Sequence, residues 1–587
     1  RNAALALFWG SMYVIIKTQE LIWSELYVKR SSSIGVFIIM EQLDLVEMTP
    51  EDTKLFNTLF EQNSSVYTEM IDGLSRKWGG SIYWWATSLA SRNPWLSTAY
   101  KDICLALLAI QKTEQDAEIC KIIVPCEEIK CVLLRYFREK GKEVKISANK
   151  RMARFDNVAF MAQFAQNLLI KDNVQKIWSK PKAVRSGSHI VLADTEILAS
   201  HVRREIYKDR LFDSIEKLTD KKIVFMPLLV NDIVSDQKGL IRKIKKHRGQ
   251  NTVLKEHFLK RQDYLRLLPI LFWNRRFCRS KKYFNGLDVT PIIDGDLKRT
   301  MASAQTQECV LKYQLIKRMR QKKIDIETLV GWYEGQPGSM GIFAAYNKLY
   351  KKGKSIGYIG YAIDENWLSL EPSKEQIKQK ITPKQIGVIG EIFLKTPKRF
   401  CEKTETILFP AFRIKADTDS YCTEKKDCVL VALSYEWSTS CKILKLIKEI
   451  DEWFKENHIE VYIKNHPQLS TRTLSDYGIN ELNCKYVFLD GSFQEAIKQA
   501  DIVITAKSTT SYETVMYGKK VIILGMTGDI TFTYLPKEWE GKRYGIAYSG
   551  IDIINLFINF RNKKTEKFVL SQKYLVQPQK EKLKNIL

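Results

Sequence analysis

The chain has 587 residues, 45% of them hydrophobic and 27% charged, too long for one hydrophobic core and ordinary for a globular protein of two or three domains. Its 93 basic against 67 acidic side chains give a formal charge of +26, which points to an anionic partner without choosing among nucleic acid, an anionic membrane and a phosphorylated substrate. Eleven cysteines, with no CxxC and no His/Cys cluster at zinc spacing, argue against a disulfide framework or a metal site and fit a reducing compartment.

In chain order, the apolar run "AALALFWGSMYVII" (3–16) lies between Arg1 and Lys17. It is short of the about 20 apolar residues that span a bilayer, and it reads as a buried element of an N-terminal subdomain rather than a signal or anchor. Residues 1–118 are expected to be mostly helical and include the tryptophan-rich "SIYWWATSLASRNPW". From Cys120 the pattern becomes strand, helix, strand, and further β-type runs appear at "HIVLAD", "KIVFMPLLV", "ETLVGWYE", "KSIGYIGYAI" and "QIGVIGEIFL". A parallel sheet over 119–400 accommodates them. Within it, 239–284 is basic and aromatic, in "IRKIKKHRGQ" and "FWNRRFCRSKKYF". That stretch is either a solvated face or a patch for anionic lipid, with Phe272, Trp273, Phe277, Tyr283 and Phe284 at the interface. Aromatics interleaved with arginine also suit single-stranded nucleic acid.

Residues 401–560 alternate most regularly: "DCVLVALS", a helix, "IEVYIKNHP", "CKYVFLDG", a helix, "DIVITAKS", a short helix, then "KKVIILG". This is the pattern of a doubly wound sheet of Rossmann type. The expected architecture is therefore α/β, with two Rossmann-type lobes facing a cleft, a helical N-terminal extension and a basic tail over 561–587. Ligands of such sheets bind at the carboxyl ends of the strands. Two strand ends stand out there. At one, Lys464 is followed by Asn465, His466 and Pro467, and the proline turns the chain out of the sheet. At the other, "ITAKSTTSYET", Ser508, Thr509, Thr510 and Ser511 stand where a strand passes into a helix, a place for an anion or simply for an N-cap. Glu513 suits either a capping box or a ribose hydroxyl. Ser434, at the end of "DCVLVALS", joins this nucleotide set. In the first lobe, Glu334 of "ETLVGWYEGQP" ends a strand before Gly335, Gln336 and Pro337 break it. A carboxylate there is placed to take a proton from an acceptor hydroxyl or to attack an anomeric carbon. Gln336 and Asp364 are candidate acceptor or sugar contacts.

The Lys-x-His-Pro end, "ADIVIT" with its Ser/Thr cluster and "GKKVIILG" together resemble the nucleotide-binding lobe of GT-B glycosyltransferases of bacterial capsule and lipopolysaccharide synthesis. The likeness is nearest to Kdo- and sialyltransferases that use CMP-activated sugars. It covers about 428–525 clearly and the middle third, with "GWYEGQPGSMG", more loosely; CDP-glycerol polymerases share part of it. The resemblance implies that His466, Ser508 and Thr509 hold the phosphate of CMP. It implies a nucleotide-sugar donor, a glycan or lipid-linked glycan acceptor, no cofactor or metal, and a peripheral place on the inner face of the cell membrane. Sialyltransferases of this architecture carry an acidic-acidic-Gly motif; here "IIDGD" offers only Asp294 before Gly295, which leaves the base between Asp294 and Glu334. The resemblance leaves open a UDP-sugar transferase and a nucleotide-sugar epimerase. A basic nucleic-acid-binding protein is the alternative of another class, in which charge is the main functional feature. No GxGxxG follows a strand and no GxxxxGK[ST] occurs, so dinucleotide redox and P-loop chemistry lack their signatures.

Overall fold

The computed structural model describes residues 41–116, 118–197, 215, 219–229, 237–414, 427–469, 471–563 and 571–587. The apolar run at 3–16 and part of the basic tail, 564–570, lie outside the described residues.

The N-terminal layer is built on a helix, Pro50–Trp78, opened by the Thr49 hydroxyl accepting from the Asp52 N–H and by proline in its first turn. Phe56, Phe60, Tyr67 and Ile71 recur at helical spacing and are buried. The tryptophan-rich segment is core. The Trp84 indole donates to Ser75 Oγ at 2.9 Å and that of Trp85 to the Gly79 carbonyl at 2.8 Å, so both rings are inside with their N–H groups satisfied. Strands β1 (Glu41–Asp44), β2 (Ile119–Cys126) and β3 (Lys145–Lys150) form a separate three-stranded parallel sheet with this layer. The strand-helix-strand unit expected to begin the first lobe thus pairs with β1 instead. Residues 41–44 lie in a region read as helical, and they supply the partner that made this sheet invisible from 119 onward.

The first lobe proper is a six-stranded parallel sheet. Its strands are β4 (His189–Ile197) and β5 (Ile223–Leu229), then, after a short hairpin of β6 (Tyr283–Phe284) and β7 (Leu287–Asp288), β8 (Asp325–Trp332), β9 (Lys354–Ile359), β10 (Gln385–Val388) and β11 (Glu405–Leu408). The order is β11-β10-β9-β8-β4-β5, so chain direction across the sheet reverses between β4 and β8. The second lobe has β12 (Cys428–Ala432), β13 (Glu460–Lys464), β14 (Tyr486–Phe488), β15 (Ile502–Thr505), β16 (Lys520–Leu524) and β17 (Tyr544–Ala547) in the order β14-β13-β12-β15-β16-β17, all parallel, with its reversal between β12 and β15. That is the 3-2-1-4-5-6 order of the Rossmann sheet. Central β12, β15 and β16 are buried at every residue, as strands covered on both faces must be, whereas edge strand β14 is largely exposed. Leu430, Ala432 and Val503 face the core shared with the first lobe, and Val429, Val431, Ile502 and Ile504 face a second core under the outer helices.

The lobes are fastened together. Asp364, past β9, accepts from the backbone N–H groups of Thr533 at 2.6 Å and Tyr534 at 2.9 Å in the loop after β16. The described part of the tail folds back onto the first lobe: Val576 N–H donates to the Ile389 carbonyl at 2.7 Å, and the Leu587 carbonyl accepts from Thr328 Oγ1 at 3.1 Å. Leu575, Val576, Leu583 and Leu587 are buried, so this end of the basic tail is a structural strap.

Candidate active site at the facing strand ends

Chain reversal leaves a crevice at the carboxyl end of each sheet, and the two crevices hold different side chains. In the first lobe, Glu334 follows β8 by two residues. Gly335 then takes φ +62°, and a Cβ there would lie 2.1 Å from the Ser369 carbonyl, so only glycine makes this turn into the helix Pro337–Leu349. The Glu334 backbone carbonyl accepts from Ser369 Oγ at 2.6 Å and from Asn93 Nδ2 of the N-terminal layer at 3.1 Å. Its carboxylate accepts from Trp332 Nε1 at 2.8 Å and Gln336 Nε2 at 2.6 Å. Burial raises its proton affinity, and the bonds from Trp332 and Gln336 and the charge of Arg413 oppose that only in part. Backbone and side chain are both fixed, which is what pre-organisation of a reacting group requires.

Glu196, near the end of neighbouring β4, is pushed up to about 7 by burial and then by the Glu334 charge. Asp194, two residues earlier, is neutralised by Lys312 at 2.7 and 2.8 Å. The run "HIVLADTEI" places Asp194 and Glu196 at alternate positions of one strand end. That alternation was the available signal, although Glu196 was not among the sequence candidates.

In the second lobe, Ser434 follows β12. Its hydroxyl accepts from the Glu436 N–H at 3.2 Å and its carbonyl from Ser440 Oγ at 2.9 Å, so it shapes the turn into the helix Trp437–Glu449. Lys464 donates to the Leu489 carbonyl at 3.1 Å, and Pro467 opens a short 3₁₀ turn, closed by a bond from Leu469 N–H to the His466 carbonyl. The half-buried His466 ring meets the Tyr435 ring edge-on, with centroids 6.0 Å apart. Tyr435 is 52% exposed; partial desolvation, Glu436 and, least, the charge of Glu334 in the first lobe push its hydroxyl up to about 12. After β15, Ser508 Oγ and Thr510 Oγ1 are in hydrogen-bond contact and Ser508 Oγ accepts from the Thr510 N–H at 3.2 Å, while Thr509 makes no side-chain cap bond. The helix they open, Thr510–Met516, has only seven residues, so an anion here would depend on hydroxyl donors more than on a helix dipole. Glu513 lies one position beyond the capping-box site and forms no such box. It accepts from Gln494 Nε2 at 3.2 Å, with Arg413 nearby, and burial raises its proton affinity.

Arg413 acts on both Glu334 and Glu513, one acid from each lobe, and its guanidinium lies 5.8 Å from the Trp332 ring. No sequence motif marked it. Gln336 serves Glu334 directly. Asp364 is saturated by the interlobe bonds above and by the Asn366 N–H at 2.9 Å, so the structure uses it as a clamp. With Thr533 it also lines a cavity of about 530 Å³ that includes Glu61, Glu365, Arg399 and Lys537. Asp294 is not brought to the crevice. It sits within the helix Thr290–Thr300, ion-paired to the buried Lys282, and the charges acting on it are Lys282, Lys298 and Asp288. A stretch with the look of an acidic-Gly motif is here a helix packed against the N-terminal layer.

In the basic-aromatic segment, Phe277 and Phe284 are core residues and Trp273 packs against Trp78, Tyr83 and Phe277, which removes them from any interfacial set. Phe272, 63% exposed, and Tyr283 remain outside. Leu265 (57%) and Leu268 (40%) join Phe272 at helical spacing, beside Arg266, Arg275, Arg276 and Arg279. Among the described residues, no helix is long and apolar enough to cross a membrane, and no group of three His, Cys, Asp or Glu side chains is placed to hold a metal ion.

No protein family and no curated protein matches the chain in sequence. Solved structures overlap it weakly. UDP-GlcNAc 2-epimerase from Methanocaldococcus jannaschii matches at 12% identity over 68% of this chain and 99% of that one, with a TM-score of 0.39. MurG from Acinetobacter baumannii matches at 11% over 68% and 93%, TM-score 0.34, and UDP-GlcNAc 2-epimerase from Neisseria meningitidis at 10% over 64% and 95%, TM-score 0.36. Overlap at this level carries no argument about activity; the two-lobed architecture rests on the strand orders above.

Proposed function

We propose that the protein is a glycosyltransferase that moves a sugar from a nucleotide-sugar donor, seated on the second lobe, to a hydroxyl of a glycan acceptor approached by the first lobe. The observation that carries this reading is the fixed, proton-avid carboxylate of Glu334 at the reversal point of one sheet, whose charge reaches Tyr435 of the other lobe, itself packed against the His466 ring. Glu334 takes the acceptor's O–H proton as that oxygen bonds to the anomeric carbon. The bond from that carbon to the donor phosphate breaks, and the phosphate keeps the electron pair under the hydroxyls of Ser508 and Thr510 and the ring of His466. The motif resemblance favours a CMP-activated 3-deoxy-ulosonic acid such as Kdo or a sialic acid as donor. The polar cavity beside Asp364, with carboxylates and cations on its wall, suits a polyhydroxylated acceptor.

Glu196 favours a second reading. Two carboxyl groups at one sheet edge, one pushed up to about 7, form the acid–base pair that an acceptor-independent epimerisation needs. Product analysis after incubation with CMP-, CDP- and UDP-sugars, with and without a glycan acceptor, separates the two. Transfer needs both substrates, whereas an epimer forms from donor alone. Release of neither product from any donor contradicts both.

The stripe of Leu265, Leu268 and Phe272 with its flanking arginines supports work at an anionic membrane surface, peripheral on its inner face, where a lipid-linked acceptor would be presented.

A further inference from the structure

Residue 507 is not explained by the hydroxyl cluster it precedes. Lys507 holds a left-handed backbone, φ +47°, uncommon for a side-chain-bearing residue and a form of strain that gathers at functional sites. Its side chain is only 7% exposed and forms an ion pair with Asp529 of the loop after β16, 3.9 Å from Glu436 and 5.7 Å from the Trp95 ring centroid. The other Asp529 oxygen takes Lys101 at 3.3 Å, from the N-terminal helix Ala99–Gln115. Lys442, on the helix Trp437–Glu449, ends on the Thr527 carbonyl at 3.2 Å, two residues before Asp529. Burial lowers the proton affinity of Lys442, and although Asp529 raises it, Lys101 and Lys507 push it further down. Two ammonium groups, those of Lys101 and Lys507, therefore flank one carboxylate, and Lys442, from a third element, lies within electrostatic reach of all three; Lys507 directly precedes the hydroxyls of Ser508 and Thr510 in the chain. A structural ion pair needs one lysine. Gathering three costs Coulomb energy unless an anion of higher charge sits among them.

We propose that Lys101, Lys442 and Lys507 form the diphosphate subsite of a nucleoside diphosphate donor, and that Asp529 occupies the place of a phosphate until the donor displaces it. This rests on the nucleotide-sugar reading and, against the CMP-sugar that the motif resemblance favours, narrows the donor to a nucleoside diphosphate sugar. With Asp529 withdrawn, three lysines remain and Glu436, 3.9 Å from Lys507, offsets one of them, which leaves two positive charges for the two charges of a sugar diphosphate diester. A CMP-linked ulosonic acid also carries two charges, but the second is on the carboxylate at its anomeric carbon, so only a diphosphate offers both charges as phosphate. The subsite also gives the N-terminal layer a part in donor binding, since Lys101 belongs to neither Rossmann lobe.

Isothermal titration of the full chain with the mono- and diphosphates of uridine, cytidine and guanosine tests this. The best diphosphate should bind at least about tenfold tighter than its own monophosphate. Lys507→Met should weaken the diphosphate by roughly 10- to 150-fold, the range for losing a hydrogen bond to a charged group, and leave the monophosphate much less affected. Lys507→Arg keeps the charge and should retain most of the preference, which guards against a variant that merely misfolds. Asp529→Asn should tighten diphosphate binding by several fold, because the incumbent anion is gone. Equal affinity for mono- and diphosphate, or CMP tighter than CDP, overturns the subsite and leaves the nucleotide reading standing. If no nucleotide binds wild type or Asp529→Asn, the nucleotide reading falls and the subsite with it.

Discussion

The carboxyl edges of the two large sheets each hold one chain reversal and differ in chemistry. At the first, between β4 and β8, acids dominate: Asp194 neutralised by Lys312, Glu196 and Glu334 with raised proton affinity, and a web of bonds from Trp332, Gln336, Ser369 and Asn93 that fixes Glu334. At the second, between β12 and β15, donors and cations dominate, with Ser508, Thr510, Lys507 and, one strand away, His466. A reversal of chain direction makes a crevice but does not decide what it binds. Residues at or just past each strand end do that, and here one edge gathers carboxylates and the other hydroxyls and a lysine.

The largest effect should come from the acidic edge. Glu334→Gln keeps the shape and one of the two accepting oxygens and removes the base, so turnover in a transfer assay should fall by about 10²–10⁴-fold. Donor affinity should stay nearly constant, because the group acts on the acceptor proton. Asp294→Asn, a change in a helix away from the crevice, should leave turnover near wild type. Full turnover by Glu334→Gln would strip the acidic edge of its role.

The donor-rich edge of the second lobe should answer in the opposite sense. His466→Ala and Ser508→Ala should weaken donor binding by roughly 10- to 150-fold in titration calorimetry, if each loses one hydrogen bond to a charged group. Equal affinities in both variants, with intact circular dichroism, would move the phosphate elsewhere.

Much of this comparison was legible in the sequence and part was not. The second lobe's strands were readable because each is a short apolar run closed by a turn signal, and Glu334 was readable because Gly335, Gln336 and Pro337 stop β8 abruptly. Glu196 escaped because its strand runs on past "HIVLAD" with no break to mark an end. Lys101, Lys507 and Asp529 lie hundreds of residues apart or in different elements, and only packing brings them together. Asp294 misled for a physical reason: an acid before glycine looks the same in a turn and within a helix, and here Gly295 is the spot where a Cβ would meet the Glu128 carboxylate at 2.5 Å.

A smaller, pH-dependent effect separates the two acids. Glu196 titrates at about 7 when folded, above its ordinary 4.5, so the folded state binds this proton more tightly than the unfolded chain. Its contribution to stability is present below about pH 4.5 and lost as pH rises through about 7. Melting temperatures of wild type and Glu196→Gln should therefore diverge upward in pH, the variant being relatively more stable at pH 8 than at pH 5. A constant difference across that range would mean that Glu196 is ionised throughout.

The smallest effect concerns neither edge. Replacing Leu265 and Phe272 with serine should reduce flotation with anionic vesicles and leave soluble-donor binding unchanged, and high salt should reduce flotation of wild type through the arginine share. Equal flotation with neutral and anionic vesicles would leave the stripe without an electrostatic part.

The central claim is that the crevice between these edges holds a nucleotide, and the direct measurement is the shift in melting temperature of the intact protein across a panel of nucleoside mono- and diphosphates, with a single-stranded oligonucleotide as comparison. A ligand that binds only the native state raises the midpoint by mass action, by about 2.7 kcal/mol of stability at one hundred times its dissociation constant. A saturable rise with at least one free nucleotide is expected, diminished in His466→Ala. A rise with the oligonucleotide alone, lost at high salt, would contradict it and make the charge of +26 the functional feature instead.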